Sequence, residues 1–248
     1  MKAIFKITLF FICVSSISAQ QEKGIIGYNN WLNNWTDFRP SQKSYGEPTQ
    51  ILSGDITEDT KLTKNNVYLL LGDVYVTNNS NLIIEPGTVI LGDFKTKGSL
   101  TISKGSKIIA EGTQTDPIIF TSSRGVKKAG DWGGLFVLGN APTNMFGNGA
   151  SLEFGLQPSS FEAISYGGSD KDSNSGVLRY VRIEFAGKKT KNFGNFNGLT
   201  LAGVGHETVL ENVMVSYCEG NAIAVLGGQP FLMNMVSFRA NQNDYIFN

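Results

Sequence analysis

From about Ile51 onward, short runs of Val, Ile, Leu, Thr and aromatic residues alternate with turns of Gly, Asn and Asp. No window of about 11–18 residues sustains an apolar period of 3.6, so helices are not expected. The runs also repeat. Asn81–Ile90 aligns with Ser99–Ile108 at an offset of 18, matching Leu82 with Leu100, Ile84 with Ile102, Gly87 with Gly105 and Ile90 with Ile108. Met214–Tyr217 aligns with Met235–Phe238 at 21, and Leu178–Phe185 with Leu210–Tyr217 at 32. Offsets of about 18–22 without helix mark a parallel β-helix, in which each coil holds two or three short strands. The longer offset reads as one coil carrying an insertion. An antiparallel sandwich explains the short strands but not the matched offsets. The expected fold is all-β, a right-handed, single-stranded parallel β-helix over 51–248. Leu82 would then stack over Leu100, and Ile84 over Ile102, about 4.8 Å apart.

The ends of the chain carry their own signals. Residues 1–19 have Lys2 and Lys6 before an apolar centre, Leu9 to Val14, and then small residues up to Ala19. That is the pattern of a cleaved signal peptide, with an apolar run too short to span a bilayer. Residues 20–50 are polar and Asn-rich, with Trp31, Trp35, Phe38 and Tyr45 among them. They read as an N-terminal arm packed over the first coil. At the other end the last run finishes on Ile246-Phe247 with no turn or cap after it. The solenoid is therefore expected to be truncated at its C-terminus, with end-to-end self-association at the open coil unless something covers it.

Composition removes several classes of function. Twenty-one basic and 21 acidic residues cancel, and the pI is near 6.6. That leaves no electrostatic footprint for nucleic acid. No stretch beyond the leader is long and apolar enough to cross a membrane. His206 is the single histidine, so multi-histidine metal sites are excluded and a histidine-based triad is not expected. Cys13 lies in the leader, which leaves Cys218 alone in the mature chain. It reads as a small buried hydrophobe rather than half of an internal disulfide.

The segments Leu82–Asp93, Gly98–Gln114, Pro117–Ser123, Gly130–Thr143, Ser175–Lys188 and Asn197–His206 are specific enough to compare with known families. From about residue 30 to 248 the chain resembles secreted, cell-surface parallel β-helix proteins of Gram-negative bacteria. Many of those carry a C-terminal sorting domain for type IX secretion, which is not found in this sequence. The resemblance implies the fold, export and a place at the cell surface or outer membrane. The family has no agreed activity, so it implies none here.

Chemistry has few places to sit. Parallel β-helices include polysaccharide lyases and hydrolases, which need paired carboxylates or a base beside a cation. Asp93 and Glu111 share the offset of 18 and could be stacked neighbours, but both fall in turn-like segments, where solvated carboxylates are routine. No catalytic residues are assigned. Asp170, Asp172 and Asn174 alternate as oxygen donors and form a calcium candidate, although Ser175 and Val181 stand where an EF-hand loop needs Gly and Glu. Calcium is the one cofactor the sequence offers a place for. Gly130-Asp-Trp-Gly-Gly134 reads as a coil corner with Trp132 capping the core. Leu201–Gly205 lacks the strand–helix setting of a phosphate loop. The expected function is that of an exported, non-catalytic surface protein with an adhesive, scaffolding or glycan-contacting role. Its partner would be an extracellular glycan or a surface protein. The alternative is a lyase or hydrolase of an extracellular glycan.

Overall fold

Because side chains alternate along a strand, a solenoid can bury one face of every strand and offer the other. The computed structural model of the chain describes residues 35–143, 149–152, 155–192 and 194–247. In it sixteen strands, paired only in parallel, wind into three columns. Each coil passes through column I, then II, then III. Column I runs through Thr60–Leu62, Asn81–Ile84, Lys107–Glu111 and Phe231–Met233, with the first halves of Gly176–Glu184 and Val209–Ser216. Column II takes the second halves of those two long strands, the first halves of Gln50–Ile56 and Val67–Val76, and Val89–Gly92, Ile118–Ser122 and Val236–Phe238. Column III completes Gln50–Ile56 and Val67–Val76. It continues with Ser99–Ile102, Gly134–Leu138, Leu199–Val204, Ile223–Gly228 and Tyr245–Phe247.

The interior consists of stacked ladders. Val74, Leu100, Leu135, Leu199 and Ile223 rise through column III. Leu62, Ile84, Ala110, Leu178 and Leu210 do so in column I, and Tyr68, Ile90, Phe120, Ile183 and Val215 in column II. All are buried, and each large side chain taken fully out of water stabilises the fold by about 1.5–3 kcal/mol. Trp132 belongs to this core, fully enclosed, with its indole N–H donating to Glu184 O at 2.7 Å. Gly92 makes room for it. A Cβ on Gly92 would sit 2.4 Å from Trp132 Cβ.

The expected register is corrected. Leu82 lies in column I and pairs with Ile108, while Leu100 lies in column III between Val74 and Leu135. The offset of 18 reflects a repeated corner rather than a repeated coil. Glu85–Thr88 and Ser103–Ser106 are the same turn, each closed by the fourth N–H donating to the first carbonyl. Gly87 and Gly105 take φ of +79° and +89° in it, where a side chain is costly. One turn joins column I to II and the other joins III to I. The C-terminal offset also shifts by one, since Met214 pairs with Val236 rather than Met235. The offset of 32 stands, with Leu178 on Leu210. At other corners Tyr180, Asn212 and Asn234 hold left-handed backbone between columns I and II. Asparagine amides link successive coils there and between columns II and III: Asn234 donates to Asn212, Asn243 to Asn221 and Asn221 to Asn197.

Two outer faces are covered. The arm lies across column II in the later coils, not over the first coil as the sequence implied. Trp35 is buried edge-on against Tyr180, and the Phe38 ring meets Phe238. Tyr217 Oη donates to Phe38 O at 2.7 Å, and Lys127 Nζ donates to Lys43 O at 2.6 Å. Arg182 Nη2 donates to Tyr45 Oη at 2.7 Å. Beneath the arm, Arg182 Nε stands 3.0 Å from Glu184 Oε1, both side chains almost fully enclosed. Trp31 lies outside the described residues, as do the expected signal segment 1–19 and the start of the arm. Column III is covered by the chain between Leu138 and Gly176. Leu152, Leu156, Ala163, Ile164 and Tyr166 pack there against Tyr75, Phe136, Leu138 and Ala202. Among the described residues no segment closes off the outer side of column I. Ile83, Ile109, Val177 and Val209 are half-buried there, and Arg179 lies between Glu111 (3.5 Å) and Glu211 (2.9 Å).

Candidate functional site

The corner from column III to column I is where polar side chains from different coils gather. Its turns share one plan. Ser80 N–H donates to Thr77 O, Ser106 to Ser103 and Thr208 to Gly205. The long connection 139–175 returns to the same corner, and its last residues are tied to the turn of the next coil. Gly205 N–H donates to Ser173 O, His206 N–H to Lys171 O, and Ser175 N–H to Thr208 Oγ1. Asn140 N–H donates to Ser173 Oγ at 2.9 Å. These bonds hold the loop 170–175 in place, so its side chains are presented from a fixed backbone.

Two cavities open on this corner. The larger, about 650 Å³, is lined by Lys104, Lys107, Asp170, Asp172, Asn174 and Glu207, among others. The smaller, about 310 Å³, is lined by Lys171, His206, Gln229, Gly228 and the segment 141–143. His206 lines the smaller cavity and faces Asp172, which lines the larger. Its Nδ1 is 3.2 Å from Asp172 Oδ1 and its Nε2 is 2.9 Å from Gln229 Oε1. The Gln229 bond and then the Asp172 bond raise the imidazole pKa above its ordinary value by favouring the charged ring.

The calcium candidates reach this corner, but their oxygens have other partners. Asp170 Oδ1 accepts from Asp172 N–H, Asn174 Oδ1 from Gly176 N–H, and Asp172 Oδ1 faces His206. Among the described residues no three His, Cys, Asp or Glu side chains converge as a metal cluster. Asp93 and Glu111 are not stacked neighbours. Asp93 follows the column II strand Val89–Gly92 and accepts from the Thr96 N–H and hydroxyl, whereas Glu111 projects from column I beside Arg179. Cys218 is fully buried, and its thiol pKa is pushed up to about 12 by that burial. It behaves as the small hydrophobe expected.

Sequence reasoning missed His206, Gln229 and Lys171 as a group. Their signal was the Gly205-His206 turn after a buried strand, the same corner plan as Ser103–Ser106.

Among the described residues no helix is long and apolar enough to cross a membrane. No curated protein and no solved structure matches the chain. A family match covers residues 54–247, which takes in all three columns and both cavities of this corner, and the chain belongs to the pectate-lyase-like β-helix domain family.

Proposed function

We propose that the chain is an exported, non-catalytic surface protein that holds an extended, hydroxyl-rich polymer, an extracellular glycan, along the column III–I corner. The observation that carries this reading is the larger cavity. There ammonium groups (Lys104, Lys107), carboxylates (Asp170, Asp172, Glu207) and amides (Asn140, Asn174) come from turns of successive coils. Coils repeat at about 4.8 Å, so donors and acceptors recur along a line, as a chain of sugar hydroxyls requires. The backbone beneath is fixed by its own hydrogen bonds, so binding orders few groups. Export rests on the signal-like segment 1–19.

Family membership carries no activity by itself. The test is binding of the full chain to an array of neutral and acidic glycans, with and without calcium because Asp170, Asp172 and Asn174 line the cavity, alongside a depolymerisation assay. The expected result is saturable binding, weakened by Lys107→Ala or Asn174→Ala, with no chain cleavage. Reproducible cleavage abolished by Asp172→Asn would establish the enzymatic alternative. Binding to surface proteins but to no glycan would replace the glycan with a protein partner.

A further inference from the structure

We propose that the smaller cavity is an anion site, holding a carboxylate or sulfate group of a ligand between Lys171, His206 and Gln229. As one subsite for a polymer it rests on the glycan reading above; as a site for an anionic group it stands alone.

The argument starts from how charge divides at this corner. Asp170, Asp172 and Glu207 line the larger cavity, together with two lysines. Among the described residues the ionisable ones lining the smaller cavity are Lys171 and His206, both basic. Asp172 meets His206 through Nδ1, which fixes the ring while the carboxylate belongs to the lining of the other cavity. Gln229 turns its Oε1 to Nε2 of the same ring at 2.9 Å, which leaves its amide N–H groups directed elsewhere. Among the described residues neither Lys171 Nζ nor Gln229 Nε2 has a hydrogen-bond partner, and Lys171 has no ion pair.

Several backbone donors nearby are already used. Ala141 N–H donates to Gly203 O, Gly228 N–H to Pro142 O and Gln229 N–H to Val204 O. The donors we assign to recognition in this cavity are side chains, an ammonium and a primary amide, beside a ring held by two partners. Donors of that kind make charge-assisted bonds to carboxylate and sulfate oxygens, roughly twice as strong as neutral ones. A neutral sugar hydroxyl would use them less well. A volume of about 310 Å³ admits one sugar-sized group bearing the charge.

The single histidine makes the test direct, because the chain has one set of imidazole proton signals to follow by NMR. The full chain is titrated at pH 7 and constant ionic strength with glucuronate, glucose and inorganic sulfate. The expected result is a saturable shift of the His206 signals with glucuronate and sulfate, and none with glucose. Lys171→Ala should weaken glucuronate binding at least about tenfold, equivalent to about 1.4 kcal/mol, while Lys171→Arg retains it. Lys171 is exposed, so its replacement leaves the fold intact, which circular dichroism checks. Equal shifts with glucose, no saturable shift, or indifference to Lys171→Ala would overturn the proposal. A shift with sulfate but not glucuronate would reassign the cavity to free inorganic anions and overturn its role as a sugar subsite. Glucuronate binding without any polymer binding would defeat the glycan reading and leave the anion site standing. Polymer binding that ignores both charge and Lys171→Ala would do the reverse.

Discussion

Over column II the arm covers Arg182, Glu184 and Ser216, whereas over column III the chain between Leu138 and Gly176 covers Tyr75, Phe136, Leu138 and Ala202. Both covers bury strand residues that face away from the solenoid interior, but they do so by different chemistry. The second cover is largely an apolar cluster, and the area removed from water holds it in place. The first has aromatic contacts through Trp35 and Phe38, but it must also offset the desolvation of two charges. Arg182 Nε is close to Glu184 Oε1, yet that nitrogen, both carboxylate oxygens and Ser216 Oγ lack a well-formed hydrogen bond. The contrast teaches that enclosure alone does not measure adhesion. The apolar cover is predicted to be firmly seated, and the polar one to depend on its charges.

The largest effect should come from the apolar side. Phe136 is almost fully buried and packs edge-on against Phe196 at 5.2 Å. Phe136→Ala should cost about 3–5 kcal/mol of stability in urea unfolding, as a large-to-small change in a closed cluster does. A loss under about 1 kcal/mol would mean that this cover is loosely held and would erase the contrast.

On the polar side, Arg182→Met alone should cost about 3 kcal/mol, because it strands the Glu184 carboxylate in an enclosed site. Replacing both residues by Met should restore most of that loss, since a matched apolar pair needs no desolvation offset. A double-mutant cycle separates the two effects. If the double variant is as unstable as the single one, the pair is a net source of stability and the two covers are more alike than argued.

A smaller effect should follow pH. Burial raises the Glu184 pKa above its ordinary value, and Arg182, the next largest influence, lowers it only in part. A carboxyl with a raised folded-state pKa favours the native protein while protonated. Its contribution is complete below the unfolded pKa, near 4.3, and is lost as pH rises through the higher folded value. Proteolytic cleavage within the arm should accelerate over that rise, and Glu184→Gln should flatten the dependence. An unchanged profile in the variant would exclude Glu184 as the source.

The sequence made some of this legible. The β class, the parallel coil and the stacking of Leu178 on Leu210 follow from apolar runs and one correct offset. The column of each strand did not follow, because Glu85–Thr88 and Ser103–Ser106 are the same turn at different corners. Only the lengths of the intervening segments tell the corners apart, and those lengths vary from coil to coil. The candidate site was legible in part for the same reason. Asp170, Asp172 and Asn174 stood out by their alternating oxygens, but Lys104, His206 and Gln229 join them only once the coils are counted correctly. His206 was set aside because it has no second histidine. Its partners are a carboxylate and an amide, which no histidine count reveals.

The smallest effect should come from the face that none of the described residues covers. Arg179 lies between Glu111 and Glu211 on column I, and its side chain is 35% exposed. Exposed ion pairs contribute about 0–1 kcal/mol, because water and salt screen them and ordering long side chains costs entropy. The strands beneath are secured from the other side by Ala110, Leu178 and Leu210, which the substitution leaves untouched. Arg179→Ala should therefore change stability by less than about 1 kcal/mol at moderate salt, well below Phe136→Ala or Arg182→Met. Urea midpoints measured at low and high salt check this, and the small difference should shrink further as salt rises. A loss of several kcal/mol would show that the charged ladder of column I binds the coils together as firmly as either cover does. The open face would then have to be counted among the elements that hold the solenoid, not as a surface free for other contacts.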